Sequence, residues 1–298
     1  MNPYYRDYSD FLAEAFPGGK VQKLSINAGF TCPNRDGSKG HGGCSYCNNH
    51  SFSPGYTGVT AGDIITQLQR GREFFARKYS DMRYLAYFQS YTGTYAEADR
   101  LMPLYEAAVS AGDVAGLVIG TRPDCMPDHL LRQLAHMHRN RKPVVVEYGV
   151  ESSHDSTLEA INRCHTWEES ADAIARTKAA GIYTGAHLIM GLPGETEQMM
   201  LQTVDRIVAL KPHAVKFHQL QILRGTRMST QSPLPHTFTL DGYLDLCVRI
   251  VGRMRDSGIA IDRFTASSPA GMLISPRWGI KNYEFVALLH KRLAASGA

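Results

Sequence analysis

Six short runs rich in β-branched and aromatic residues, each followed by a longer stretch with apolar residues at helical spacing, limit what this 298-residue chain can fold into more than any other feature. The runs are Val21 to Ile26, Arg83 to Gln89, Gly116 to Thr121, Pro143 to Gly149, Tyr183 to Met190 and Ala214 to Leu220. Helices are predicted over about Ala61 to Tyr79, Tyr95 to Ala111, Pro127 to Arg141, Thr166 to Ala180, Thr196 to Leu210 and Leu240 to Asp256, with Gly112 and Gly181 where helix C-caps belong. Strands separated by helices are parallel, because only a crossover connection returns the chain to the same sheet edge in the same direction. About six such units fall short of the eight that close a full barrel. A partial barrel or a doubly wound sheet remains, and both hold ligands at the carboxyl ends of their strands.

No repeat, low-complexity tract or linker divides the chain, so one domain is expected over residues 1–298, with a core of about 20–258 and an extension from 259 to 298. Hydrophobic residues at 43% and charged residues at 20% supply a large core and exclude disordered and fibrous classes. The 32 Lys plus Arg against 28 Asp plus Glu leave a formal charge of +4, which permits a polyanionic partner without requiring one. The N-terminus interleaves Tyr4, Tyr5, Tyr8, Phe11 and Phe16 with charge and lacks the apolar centre of a secretory signal. Val114 to Ile119, among the longest apolar stretches, is strand-sized and far below the roughly 20 residues of a membrane helix. A cytoplasmic protein without membrane attachment is expected.

Directly after the first strand stand Cys32-Pro33-Asn34-Arg35-Asp36-Gly37 and then Gly42-Gly43-Cys44-Ser45-Tyr46-Cys47, a Cys-x11-Cys-x2-Cys spacing. Three cysteines within sixteen residues of a chain read as cytosolic point to metal, since disulfides are rare there and an odd number leaves a thiol over. Zinc would need a fourth ligand, from His41 or His50. An iron–sulfur cluster normally takes four cysteines, so three leave one iron open to another ligand. Cys125, Cys164 and Cys247 are scattered and read as small apolar residues.

The other strand ends carry polar motifs. Phe88-Gln89-Ser90-Tyr91-Thr92-Gly93-Thr94 is either a plain βα turn or a cradle whose hydroxyls and backbone groups bind an ammonium. The fourth strand ends in Glu147-Tyr148-Gly149-Val150-Glu151, and twelve residues past Glu151 stands Arg163, whose fork suits a carboxylate. In His187-Leu188-Ile189-Met190-Gly191-Leu192-Pro193-Gly194-Glu195, Gly191 and Gly194 let backbone approach a ligand, and Glu195 is read as a helix-start acid. Asp124, in Gly120-Thr121-Arg122-Pro123-Asp124, is expected to cap the next helix, with Arg122 facing the ligand mouth.

From Lys20-Val21 and the Cys32 to Gly37 run through Trp278, these motifs resemble radical S-adenosylmethionine (SAM) enzymes, and among them the bacterial YhcC/YtqA-type proteins related to the catalytic subunit of Elongator. The resemblance implies a partial TIM-like barrel of six βα units. It implies that Cys32, Cys44 and Cys47 hold a [4Fe-4S] cluster whose open iron takes the amino and carboxylate groups of SAM. One electron from the reduced cluster would cleave SAM to methionine and a 5′-deoxyadenosyl radical, with a reductant such as flavodoxin or ferredoxin as partner. Tyr46 is placed beside the adenine, Gln89, Ser90 and Thr92 at the amino group, Glu151 at the ribose, Arg163 at the carboxylate and Gly191 at the adenine turn. The chain departs from the family in its long first cysteine gap, in Ser90-Tyr91 where Gly-Gly is usual, and in His187 where several relatives carry aspartate.

Lys216, Phe217, His218, Arg224 and Arg227 crowd the last strand end, and with Tyr56 and Tyr91 they form a basic, aromatic rim compatible with RNA. The Arg139 to Lys142 run is a solvated helix C-terminus. The resemblance implies tRNA as substrate, with chemistry on the C5 side chain of the wobble uridine. No acetyltransferase domain is seen in the sequence, so processing of an existing aminomethyl-type side chain is expected. The competing class is a non-catalytic, zinc- or cluster-bearing RNA-binding module.

Overall fold

A computed structural model of the chain describes residues 2–52, 54–57, 63–76 and 82–296. Helix α1 (Tyr8–Ala15) comes first, then β1 (Val21–Ile26), α2 (Ile64–Ala76), β2 (Arg83–Phe88), α3 (Ala98–Ser110), β3 (Val114–Thr121) and α4 (Asp128–Asn140). The alternation continues through β4 (Val144–Glu151), α5 (Asp155–Ala160), α6 (Trp167–Ala179), β5 (Tyr183–Met190), α7 (Glu197–Leu210) and β6 (Ala214–Gln219). The chain then forms β7 (Ile222–Leu223), α8 (Leu240–Met254), β8 (Ala260–Arg263), β9 (Leu273–Ser275) and α9 (Asn282–Ala295). All six expected strands and helices are present. The ends of the helix predicted over Ala61 to Tyr79, at 61–62 and 77–79, lie outside the described residues.

Seven parallel strands form one sheet in the order β1-β2-β3-β4-β5-β6-β8. Spatial order follows chain order throughout, and a doubly wound sheet would reverse it at a switch point. Each right-handed crossover instead adds the next strand on the same side, so the sheet curls. The curl brings its two edge strands together across the interior, where Lys23 Nζ of β1 meets Asp262 Oδ2 of β8 at 3.1 Å. The architecture is thus the expected partial barrel. Its seventh strand arises from the segment read as an extension, so residues 260–263 are barrel wall.

The outward strand face (Leu24 and Ile26, Leu117 and Ile119, Val144 and Val146, Leu188 and Met190) packs under the helices as one apolar core. The inward face is layered. At the bottom Leu85, Val118, Val145, Ala214 and Ala260 close on Tyr8, Phe11, Ala15 and Phe16 of the N-terminal segment, so α1 plugs the barrel. Asp7 caps this helix through Ser9 N (2.8 Å), and Arg6 O accepts from Ile261 N (2.9 Å), fastening the plug to β8. The aromatic residues that argued against a leader are therefore core. Phe11 is 2% exposed and meets Tyr183 edge-on at 5.4 Å. Phe11→Ala is expected to destabilise the fold by about 3–5 kcal/mol in urea unfolding. A loss under about 1 kcal/mol would show that the helix is not a plug.

Candidate active site

The three cysteines of the loop after β1 line one cavity at the carboxyl end of the sheet, with Tyr46, Gln89, Thr92, Glu151 and Arg163 on the same wall. Backbone bonds from several elements fix the loop. Gly43 N donates to Asn34 O (2.7 Å), Cys47 N to Cys44 O (3.0 Å) and Ser45 N to Ile161 O (2.9 Å). Gly43 O accepts from both Asn162 Nδ2 and Arg227 Nη2, each at 2.9 Å. Cys44 Sγ lies 3.5 Å from Arg163 Nη1 and from Asn34 Nδ2, so both side chains hold the loop by its sulfur. Burial and the neighbouring Cys44 push the Cys47 thiol up to about 11, so taking up a metal there releases a proton.

Among the described residues no three His, Cys, Asp or Glu side chains stand together as ligands of a single metal ion. A mononuclear zinc needs its thiolates within about 2.3 Å of one point, whereas a cluster takes each on a different iron. His41 is exposed and turned beside Gly37, and the side chain of His50 lies outside the described residues. Cys125 and Cys247 are buried as expected, while Cys164 sits behind the loop with its Sγ 3.2 Å from Asn34 Oδ1.

The end of β4 carries the second half of the wall. A register shift between Gly149 and Glu151 leaves Val150 buried on the outer face and Glu151 left-handed at φ 68°, a bulge that turns its carboxylate inward. Arg163 Nη2 donates to Gly149 O at 2.6 Å and stands 3.6 Å from Glu151 Oε1. Burial raises the Glu151 carboxyl above its usual range, against the pull of Arg163 and a hydrogen bond with Tyr46. A Cβ on Gly149 would stand 2.7 Å from both Arg163 Nη2 and Glu151 Oε1, so only glycine leaves this cradle open. Arg163 Nε and Thr92 Oγ1 are buried without a hydrogen-bond partner. An unmet buried donor of this kind costs roughly 1–3 kcal/mol.

Other expected contacts are placed differently. Gln89 lines the cavity and accepts from Ser25 Oγ at 3.2 Å, whereas Ser90 is buried off the wall. Gly191, at φ 88°, faces Phe238 in a separate groove with Glu195 and His236. Asp124 caps no helix: Pro127 is the α4 cap, and Asp124 instead pairs Arg122 at 2.9 Å and Lys39 at 2.6 Å. Arg122 lines the cavity as expected and also donates to Arg163 O at 2.8 Å, holding the turn that bears Arg163. Glu195 precedes the true cap Thr196 and accepts from Ser152 Oγ at 2.5 Å.

The basic rim drawn from the last strand holds in part: Arg224 and Arg227 are exposed and Tyr91 and His218 line the cavity, but Lys216, Phe217 and Tyr56 are placed elsewhere. Phe217 is fully buried on the outer face, and the Tyr56 hydroxyl accepts from Ser25 N at 2.8 Å. Lys216 points into the barrel because strand alternation places it there. It belongs to a polar layer that sequence reasoning missed, between the plug and the cavity. Glu147 stands at its centre, accepting from Lys23 at 2.5 Å, Lys216 at 3.1 Å, Tyr87 OH at 2.8 Å and His187 Nε2 at 2.9 Å. Asp262 joins Lys23 at 3.1 Å and Lys216 at 3.5 Å. The signal was available as one inward-facing polar residue on each of six strands: Lys23, Tyr87, Glu147, His187, Lys216 and Asp262.

The far wall is built by the C-terminal segment. Ala266 lines the cavity, its N–H donating to Gln219 Oε1 at 2.8 Å, and β9 pairs antiparallel with β7, so residues 264–278 fold back over the end of β6.

Burial opposes charge at Glu147 and Asp262, but Lys216 and Lys23 hold Glu147 well below the usual carboxylate range and the same two lysines hold Asp262 at about 2. Burial and the Lys216 charge hold His187 down at about 4, and burial and Arg263 hold His218 well below its ordinary value. Depressed carboxylates contribute stability that is present above the unfolded value near 4 and lost as pH falls through about 2. The unfolded chain also binds more protons than the native one at His187 between about 6.5 and 4, so that window loses stability on acidification too. Urea midpoints are expected to fall steadily from pH 7 to pH 4, and His187→Asn to flatten that slope. An unchanged slope in the variant would remove His187 from this account.

The chain matches the Radical SAM superfamily over residues 31–207 and the Radical_SAM C-terminal domain over residues 212–295. It is 33% identical to YtqA of Bacillus subtilis over 99% of this chain and 91% of that one, and 36% identical to YhcC of Escherichia coli over 88% and 83%. Among solved structures, the Elp3 of the archaeon Methanocaldococcus infernus superposes with a TM-score of 0.72 at 16% identity, over 94% of this chain and 64% of that one, under two thirds of its length. No helix among the described residues is long and apolar enough to cross a membrane. The protein belongs to the radical SAM superfamily, whose enzymes work with S-adenosylmethionine and a [4Fe-4S] cluster.

Proposed function

We propose that Cys32, Cys44 and Cys47 hold the [4Fe-4S] cluster and that Tyr46, Gln89, Thr92, Glu151 and Arg163 bind SAM beside it. The observation that carries this reading is that the three thiols share one cavity with the unmet Arg163 Nε and Thr92 Oγ1. When bound, the reduced cluster supplies the electron that splits SAM into methionine and a 5′-deoxyadenosyl radical. The protein's part is placement. Arg163 offers its unmet Nε–H and its charge to the carboxylate, Thr92 a hydroxyl to the amino group and Glu151 an acceptor to the ribose hydroxyls. The apolar layer under the helices and the plug below form the outer side and the floor of the barrel that carries the site. Ser90 and Gly191, which lie off this wall, are left out of the set. We read residues 1–298 as one unit in a reducing cytoplasm, served by a flavodoxin- or ferredoxin-type reductant.

For the substrate we propose the C5 side chain of the tRNA wobble uridine. In support, the chain is 30% identical over 115 residues to a tRNA uridine(34) acetyltransferase of Methanocaldococcus jannaschii, covering 38% of this chain and 20% of that one. Exposed Arg35, Arg224 and Arg227 flank the cysteine loop, as a phosphate-bearing partner requires. Arg35 also lies 5.8 Å over the Tyr91 ring, a platform on which a base can stack.

After anaerobic reconstitution with iron and sulfide, the wild-type chain is expected to absorb broadly near about 400 nm, as thiolate-held clusters do. With SAM and dithionite it should release 5′-deoxyadenosine, and Cys47→Ala should lose both signals. Product formation by the variant would overturn the ligand assignment. Mass spectrometry of tRNA nucleosides from cells with and without the gene tests the substrate, with a changed wobble-uridine profile expected. An identical profile would overturn the tRNA reading.

A further inference from the structure

The interior charges of the barrel do not balance, and the residue left over faces the cavity. Lys23 and Lys216 share Glu147 and Asp262, two cations against two carboxylates, with all pairs within 3.5 Å. Arg263 follows Asp262 directly. The register of β6 and β8 shifts between Val215 and Lys216, pairing Lys216 with Arg263, and this bulge turns two successive β8 side chains inward. Asp262 reaches the lysines, and Arg263 reaches the cavity. Arg263 Nε is buried and unpartnered, and among the described residues no carboxylate stands within ion-pair distance of its guanidinium. Two residues beyond Lys216 on the same inward face, His218 also opens on the cavity, with the His187 ring at 5.9 Å. Gln219 and Gln221 complete this wall and are held in place by Ala266 and Ser268.

We infer that Arg263 and His218 form a subsite for an anionic oxygen group of the substrate, a carboxylate or a phosphate, on the β6–β8 wall of the cavity. A guanidinium with no counter-ion in a walled cavity is a strong anion receptor, because its fork meets two oxygens at once and little water competes. His218, kept neutral by burial and by Arg263 itself, adds a single N–H without a second charge. The subsite is separate from the Arg163 side of the cavity assigned to SAM, which is carried by the β4 end and the cysteine loop. The inference rests on the reading of this cavity as the place where SAM and substrate meet.

The test uses the full-length chain labelled with 15N-arginine, before and after cluster reconstitution, titrated with inorganic phosphate and with acetate while the arginine Nε–H signals are followed by NMR. Arg263→Gln assigns the Arg263 signal, and Arg263→Lys serves if the first variant does not fold. Saturable movement of that signal is expected, with at least tenfold weaker anion binding in either variant as read from the remaining shifted signals. The tighter of the two anions names the source, a carboxylate on the substrate or a phosphate of its backbone. No saturable movement, or equal binding in the variants, would overturn the subsite. Movement of the Arg263 signal on adding SAM alone would overturn it as well, by giving the residue to the cofactor. Production of 5′-deoxyadenosine by the wild-type preparation is measured in parallel: its loss speaks against the enzyme reading, whereas its presence without anion binding sinks the subsite alone.

Discussion

Glu147 is the point about which the barrel is drawn. It lies on β4, the middle strand of seven, and accepts hydrogen bonds from Lys23 on β1, Tyr87 on β2, His187 on β5 and Lys216 on β6. A carboxylate buried here without those donors would face a desolvation cost of several kcal/mol. The donors can all reach it only if the sheet curls, so the ion cluster rewards curvature that backbone hydrogen bonding alone leaves open. Ion clusters of this kind are weak as net stabilisers, since an apolar layer of equal volume does as well or better. What it adds is a fixed radius and a fixed register, because a one-residue slip of any strand would move its member to the outer, apolar face.

Above that layer the barrel changes character in order. The plug is aromatic and dry, the Glu147 layer is charged and internally matched, and the cavity is lined by polar groups with unmet bonding capacity. Each layer depends on the one below. The plug covers the ion cluster from below, Lys23 and Lys216 keep its carboxylates charged against the cost of burial, and the cluster fixes the strand ends from which the cavity wall projects.

The alternation of strands and helices was legible because each unit repeats both periodicities at full length, and so was the cysteine loop, whose spacing needs no partner to be noticed. β8 was not legible: its four residues, Ala260 to Arg263, are half charged, and their strand character comes only from pairing with β6 and with the segment before α1. Helix α1 was passed over because its aromatic residues suit a core that exists only once the barrel has formed. The polar layer escaped for a related reason. Lys23, Glu147 and Lys216 look like surface charges one at a time, and only curvature reveals that they share a centre. Lys216 and Phe217 show the cost of ignoring alternation, for they point to opposite faces of β6 and neither reaches the rim.

The cysteine loop and the Arg163 turn, more than a hundred residues apart in sequence, are mechanically one piece. Asn162 and Cys164 flank Arg163 with φ of 54° and 57°, left-handed conformations that cost of order 1 kcal/mol or more each and persist only where surroundings impose them. The surroundings are the loop itself. Asn34 binds Asn162 O, Asn162 Nδ2 binds Gly43 O, and Arg122 binds Arg163 O while Asp124 and Lys39 anchor Arg122. Displacing Cys44 would therefore displace Arg163, and the reverse. Two groups held in one such frame need little ordering on binding, so less binding energy is lost to it. Lysine could not stand in at 163. It would keep the charge but not the fork that reaches Gly149 O and Cys44 Sγ at once, and with that fork would go the coupling of the two halves.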